Sequence, residues 1–311
     1  MSVPFNARVE TRAFTEQELD TVEVHLGRMR DQGVEYAVIP APQDTVRPNA
    51  FRVVVHEPGV CAILALDTLA EPREGPASDG LPFPPPEMVR LAAGISTGHR
   101  FYQRFIQGGA QVADRFRDLL ARNGLDIERC GSLLDFGCGC GRVMRRWQGL
   151  TDTRLHGSDY NPRMIEWCRG NLPFAEFSVN ALEPGLDHPD GAFELVYSYS
   201  VFTHLPEDLQ RPWLDELVRV TAPGGHLLLT FHGEHAAQTD LGEEERAPFG
   251  DGDLVVVARD AGDYGTNACA VYHPAVWIRG EFTAGLEVLD HWPGDSSFKQ
   301  DAFLIKKPAG Q

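Results

Sequence analysis

Hydrophobic positions change rhythm along this chain. After Thr15-Glu16-Gln17-Glu18, a capping-box start, Leu19, Val22, Val24, Leu26 and Met29 predict an amphipathic helix over residues 15–31. Residues 35–40, 51–56 and 60–66 read as strands, the last two joined by the turn Glu57-Pro58-Gly59. A Pro- and Gly-rich stretch over 71–86, ending Pro82-Phe83-Pro84-Pro85-Pro86, marks a linker. The first 86 residues are therefore expected to form a small α+β extension. From 87 to 123, Met88, Leu91, Phe101, Phe105, Val112, Phe116 and Leu119 recur at helical spacing and predict two or three helices.

Beyond residue 130 the pattern alternates. Short apolar runs at 133–136, 155–159, 174–179, 193–200 and 227–232 are the kind that form strands covered on both faces. Helical spacing is expected from Arg142 to Trp147 and over 207–220, and the second helix leads through Ala222-Pro223-Gly224-Gly225 into the fifth run. A polar stretch over 233–253, with Glu243-Glu244-Glu245-Arg246 at its centre, reads as a solvated loop or lid. Residues 254–258, 286–289 and 302–305 add three more strands.

The first run continues as Asp135-Phe136-Gly137-Cys138-Gly139-Cys140-Gly141-Arg142. Glycines at 137, 139 and 141 can take positive φ and let a ligand lie against bare backbone. A dinucleotide fingerprint, G-x-G-x-x-G, would need glycine at 142, where the chain has Arg142. With Asp135 two residues before the first glycine, the G-x-G-x-G turn resembles the nucleotide-binding motif of class I S-adenosylmethionine (SAM) dependent methyltransferases. About twenty residues on, the second strand ends in Asp159, where doubly wound folds grip a ribose diol.

That resemblance implies a doubly wound, seven-stranded Rossmann-like methyltransferase sheet closed by a C-terminal antiparallel hairpin. It covers residues 87–311, with 233–283 as a substrate-side insertion, and leaves 1–86 outside as a possible cap. It implies S-adenosylmethionine as cofactor, held by Asp135, Gly137, Cys138, Gly139, Gly141, Asp159 and Ser198. Tyr160 is expected flat against adenine and Asn180-Ala181 at the adenine edge. Tyr102, and beside it Arg104, are expected near the methionine part.

Composition narrows the acceptor. A formal net charge of −17 disfavours nucleic acid, whose binding depends on neutralising phosphates. Three lysines, Lys299, Lys306 and Lys307, stand among 28 basic residues, a skew that suggests a GC-rich bacterial genome. There is no apolar run near eighteen residues and no basic-then-apolar start, so a cytoplasmic protein with no membrane contact is expected. The six cysteines form no C-x-x-C pair and are read as reduced and structural.

A small-molecule acceptor methylated at oxygen or nitrogen is the resulting expectation. Transfer to carbon, or SAM binding without transfer, remains open on the same residues. Where a proton must leave, a histidine within reach contributes about 10²–10⁴-fold. His232 at the end of the fifth run is the first choice as base, then His204 in the loop after the fourth and His273 in the insertion. Tyr199, Ser200 and Tyr272 are expected to position the acceptor, and Gln300-Asp301 to be substrate-facing or a turn. The fourth run ends Tyr-Ser-Tyr-Ser without the carboxylates that Mg²⁺ would need, so no metal is assigned.

Overall fold

The computed structural model describes residues 8–10, 36–40, 50–57, 60–67, 77–93, 101–257 and 269–310, the first four stretches as backbone only. The helix expected over 15–31 lies outside them, as does the side chain of Arg104. By compactness the chain divides into two units, residues 1–86 with 95–105, and 87–94 with 106–311.

In the first unit β2 (Tyr36–Pro40), β3 (Ala50–Glu57) and β4 (Val60–Asp67) form an antiparallel meander, with β1 (Arg8–Glu10) added parallel to β4. Pairing of β3 with β4 runs from Ala50 opposite Asp67 to Glu57 opposite Val60.

The second unit is built on a seven-stranded sheet. β5 (Ser132–Phe136), β6 (Arg154–Asp159), β7 (Glu176–Val179), β8 (Phe193–Ser198) and β9 (Thr221–Phe231) run parallel in the spatial order β7-β6-β5-β8-β9. The order reverses at β5, and a crevice opens there beyond the carboxyl ends of the strands. β13 (Asp301–Lys306) inserts antiparallel between β9 and β12 (Glu287–Trp292), so the expected C-terminal hairpin closes the sheet. A separate two-stranded ribbon pairs β10 (Val255–Val257) with β11 (Ala270–Tyr272). Among the described residues no helix is long and apolar enough to cross a membrane.

Three local expectations change. The polar stretch over 233–253, expected as a loop, forms two short helices, Glu234–Asp240 and Glu243–Asp251. No α-helix follows the glycine turn: the chain makes successive turns and a 3₁₀ turn, Met144–Trp147. Trp147 is pulled inward there, donating its indole N–H to Tyr197 Oη at 2.9 Å, which anchors the short segment to the sheet. The Ala222–Gly225 turn is absorbed into β9 as an irregularity where the register with β8 shifts, with Gly224 at φ 76°.

Helices α1 (Pro86–Ala93), α2 (Phe101–Arg122), α3 (Pro162–Asn171) and α4 (Glu207–Val220) flank the sheet. Asn161 caps α3 by accepting from the Arg163 and Met164 N–H groups, with Pro162 at the first position. α4 buries Trp213, Leu214, Leu217 and Val220 against Leu227, Leu229 and Phe231 of β9, with the Trp213 ring 4.5 Å from Phe136. α2 buries Val112, Ala113, Phe116 and Leu119, and Phe116 meets Tyr197 edge-on at 5.3 Å.

Two glycines in α2 have opposite contexts. A β-carbon on Gly109 would lie 2.1 Å from the Arg142 carbonyl oxygen, whereas one on Gly108 would sit 3.8 Å from Arg142 Nη1, an ordinary contact. Gly108→Ala is therefore expected to stabilise the fold by about 0.5–1 kcal/mol, as alanine does in helices. Gly109→Ala should lose about 1–3 kcal/mol through overpacking. Urea denaturation of both variants checks the opposite signs; two gains of equal size would mean the α2 to Arg142 approach is not tight.

Candidate functional site

The glycine turn is shaped by hydrogen bonds to the next strand. Gly137, Gly139 and Gly141 have φ of 77°, 54° and 75°. The N–H groups of Gly137 and Cys138 both donate to Ser158 O, at 2.7 and 3.0 Å. The Gly139 N–H donates to Asp159 Oδ2 at 2.8 Å, and Asp159 Oδ1 accepts from Asn161 N at 2.8 Å. A β-carbon on Gly137 would strike Val201 Cγ2 at 2.0 Å, so that glycine is also demanded by the loop after β8. Ser158 Oγ donates to Asn180 Oδ1 at 2.6 Å and fixes that amide, whose Nδ2 donates to Ala181 O at 2.7 Å.

Burial controls the charges here. Asp135 accepts from Tyr197 Oη at 2.6 Å, and that hydroxyl receives the Trp147 indole N–H, so a chain of two bonds runs beneath the turn. Desolvation raises Asp135 to about 7, and the negative charge of Asp159 adds to the rise; the Tyr197 hydrogen bond opposes it. Burial also raises Asp159, against the pull of its two backbone donors. Three thiols lie under the same turn: Cys138 and Cys168 both donate to Gly139 O, at 3.7 and 3.5 Å, and Cys140 is fully buried. Burial holds all of Cys138 and Cys140 well above the usual thiol range.

A cavity of about 920 Å³ spreads over the carboxyl ends of the parallel strands. Twelve of the sequence-selected residues line it: Asp135, Gly137, Cys138, Gly139, Asp159 and Tyr160, then Asn180, Ala181, Tyr199, Ser200, His204 and His232. Tyr160 keeps 45% of its surface exposed there, an aromatic face left uncovered beside Asp159. Five others lie elsewhere. Gly141 faces inward, where a β-carbon would meet Leu172 at 2.4 Å, and Ser198 is buried in β8. Tyr102 belongs to the first unit, its ring 4.7 Å from Phe83. Tyr272 packs with Ala236, Ala237, Leu241 and Val255. His273 is fully buried, with Nε2 3.2 Å from Gln210 Oε1, so it does not line the cavity as expected; its backbone N–H holds His232 O at 2.7 Å.

The sheet order places β5, β6 and β7 under one flank of the cavity and β8 and β9 under the other. On the second flank His204 Nδ1 lies 2.6 Å from Cys269 O. A carbonyl only accepts, so Nδ1 carries the proton and Nε2 keeps a lone pair. The His232 ring lies edge-on to His204 at 6.2 Å. Burial lowers both histidines, His232 to about 4, which leaves them neutral around pH 7.

Ser200 is the one non-glycine residue among those described with positive φ, at 62°. Thr230 Oγ1 accepts its N–H at 2.9 Å, and Gln300 donates Nε2 to Ser200 Oγ at 2.8 Å while accepting from Thr230 at 2.7 Å. Sequence reading missed Thr230, which sits inside an apolar strand run and carries no motif. It also missed Arg142, Asp240, Phe298 and Lys299 as cavity residues, because three of them come from the insertion or the loop before β13.

Residues 133–225 match a family described as a methyltransferase domain. Over 107 residues the chain is 35% identical to a probable tocopherol O-methyltransferase, chloroplastic, from Oryza sativa subsp. japonica, across 32% of this chain and 28% of that protein. Over 109 residues it is 30% identical to an ajmaline N-methyltransferase from Rauvolfia serpentina, across 32% and 36%. A solved SAM-dependent methyltransferase from Methanosarcina mazei is 18% identical, with a TM-score of 0.46 over 61% of this chain and 97% of that one. The chain spans about a third of the length of the curated relatives it matches.

Two measurements check this geometry. Folded Asp135 keeps its proton to about pH 7 whereas an ordinary aspartate loses it near 3.8, so wild-type stability should fall as pH rises through that window and level off above it. Asp135→Asn is expected to remove that part of the slope, read by urea denaturation between pH 4 and 8; an unchanged slope would mean Asp135 is not the group responsible. At position 200, glycine adopts the left-handed conformation freely and alanine does not. Ser200→Gly should therefore be more stable than Ser200→Ala by about 1 kcal/mol, and equal thermal unfolding would contradict the strained turn.

Proposed function

We propose that this chain, whose residues 133–225 match a methyltransferase-domain family, binds S-adenosylmethionine in the cavity and transfers its methyl group to oxygen or nitrogen of a small molecule. The observation that carries the reading is the meeting, in one cavity, of the left-handed glycine turn, Asp159, the uncovered Tyr160 ring and two neutral histidines.

The donor set fits such a cofactor. Asp159 uses one lone pair of each oxygen on backbone N–H groups, which leaves acceptor capacity for a ribose diol. Tyr160 offers an aromatic face for adenine, and Asn180 is held with its amide beside Ala181 at the adenine edge. When bound, S-adenosylmethionine supplies an electrophilic methyl on a sulfonium, so the protein's task is largely to align an acceptor atom. Tyr199, Ser200 and Phe298 provide the walls for that alignment. The His204 Nε2 lone pair takes the proton a hydroxyl or ammonium must lose, with His232 as its neutral neighbour. Burial lowers both rings from their usual value of 6.5, so their nitrogen lone pairs are unprotonated around pH 7.

The test begins without an acceptor. S-Adenosylhomocysteine at about a hundred times its Kd should raise the unfolding free energy by about 2.7 kcal/mol, and Asp159→Ala should abolish most of that gain. No stabilisation by either form of the cofactor sinks the reading. With an acceptor found by mass spectrometry of methylated products, His204→Ala is expected to lower kcat by about 10²–10⁴-fold, and a loss under twofold removes His204 as base.

A further inference from the structure

On the β8 flank of the cavity, Ser200 and Gln300 carry protons that no group among the described residues accepts. Thr230 has one hydroxyl proton, and its 2.7 Å bond to Gln300 Oε1 is much shorter than its 3.4 Å approach to Ser198 O, so it donates to Gln300. Gln300 Nε2 then faces Ser200 Oγ and donates to it at 2.8 Å, with one amide hydrogen left over. Thr203 Oγ1 lies 3.1 Å from the same Ser200 Oγ, and Thr203 is fully buried. Were Ser200 the donor in that pair, the Thr203 proton would be buried without a partner, a costly arrangement. Thr203 therefore donates, both Ser200 lone pairs are filled, and the Ser200 proton is left for a ligand.

Gln300 is only 7% exposed, so its spare hydrogen meets little water, and Ser200 is held in left-handed backbone at φ 62°. A fixed pair of donors suits an oxygen that accepts twice. Past the single turn Phe202–His204 stands the opposite chemistry, the His204 Nε2 lone pair. Burial lowers His204, which makes it a weaker base than an exposed imidazole and matches it to an acidic hydroxyl. Tyr199 precedes Ser200, and Phe298 stands two residues before Gln300. Their rings lie 5.8 Å apart and give the same flank an aromatic wall.

We propose that Ser200 and Gln300 form a two-donor seat for a carbonyl oxygen, and that the methyl acceptor is a carbonyl-bearing phenol, an aromatic hydroxy ketone. The inference rests on the methyl-transfer reading above and names its substrate class. The carbonyl oxygen accepts from Ser200 Oγ and Gln300 Nε2, the ring lies on the aromatic wall, and the hydroxyl turns to His204. Conjugation with the carbonyl acidifies that hydroxyl, and hydrogen bonds to the carbonyl oxygen stabilise the charge left as the proton departs. The step itself is unchanged: the hydroxyl gives its proton to His204 Nε2 and its oxygen takes the methyl, while the electrons of the broken S–C bond stay on sulfur.

Two shape-matched pairs of phenols, 2′-hydroxyacetophenone with 2-ethylphenol and 4′-hydroxyacetophenone with 4-ethylphenol, are titrated calorimetrically into the full chain saturated with S-adenosylhomocysteine. In at least one pair the ketone should bind about 10-fold more tightly than its ethyl counterpart. Gln300→Leu should bring that pair within about twofold. Gln300→Glu keeps the side-chain shape and the Thr230 bond but replaces the donor with an acceptor, and it should erase the preference as well. Thermal midpoints near wild type establish that the variants fold, and the glutamate variant supplies the comparison if the leucine variant does not. A Gln300 that is merely structural would weaken both members of a pair equally, and that result overturns the proposal. Wild-type binding without a carbonyl preference overturns it too, as does a cofactor-bound chain that takes neither ketone. Failure of S-adenosylhomocysteine to stabilise the wild type sinks the methyl-transfer reading and this inference with it, whereas a cofactor-bound chain indifferent to the carbonyl sinks this inference alone.

Discussion

The bond from the Gly139 N–H to Asp159 Oδ2 is the constraint on which the rest of this site depends. It extends the pairing of β5 and β6 past their last laddered residues, Phe136 and Ser158, by linking the turn after one strand to the last side chain of the other. Each of the three left-handed glycines surrenders more conformational freedom on folding than any other residue, and this bond adds to the Gly137 and Cys138 N–H bonds to Ser158 O in holding them. The same carboxylate accepts from Asn161 N, and Asn161 caps α3. One buried charge thus fixes the turn, the end of β6 and the start of a helix.

The turn is also braced from below. Trp147 donates to Tyr197, and Tyr197 to Asp135, which ties the 3₁₀ turn after the glycines to β8 and β5 at once. The carboxylate that receives this chain is more comfortable protonated than ionised, since burial outweighs the single hydrogen bond offered to it. Asp159, with two backbone donors, is the better-satisfied of the pair. Two carboxylates a strand apart therefore sit in different environments, one shaped by a phenol and one by peptide N–H groups.

Much of the fold was legible because parallel strands buried on both faces leave continuous apolar runs, and their order along the chain carried the topology. The hairpin of β12 and β13 followed from two more such runs. The helix expected from Arg142 to Trp147 did not form, because spacing alone cannot register that Trp147 is drawn inward by a polar partner fifty residues away. Site residues attached to strand ends were readable: Asp159 closes β6 and Asn180 follows β7, while Asp135 is the one polar residue inside the β5 run. His273 was not, since a histidine beside a tyrosine in an insertion looks exposed until the Gln210 side chain and the β9 end close around it. Ser200 shows the same limit. Its left-handed backbone is enforced by Thr230 and Gln300, thirty and a hundred residues further on, and nothing local signals it.

The sulfur atoms beneath the glycine turn have a bearing on self-protection. On the proposed function the cavity holds an alkylating agent, which puts its own walls at risk, and Cys138 contributes directly to the lining. Its thiol, however, is buried and donates to the Gly139 carbonyl, and surrounding carboxylates disfavour the thiolate further. Only the thiolate is a competent nucleophile. By keeping that sulfur protonated, the turn can carry cysteine next to an electrophile without consuming itself.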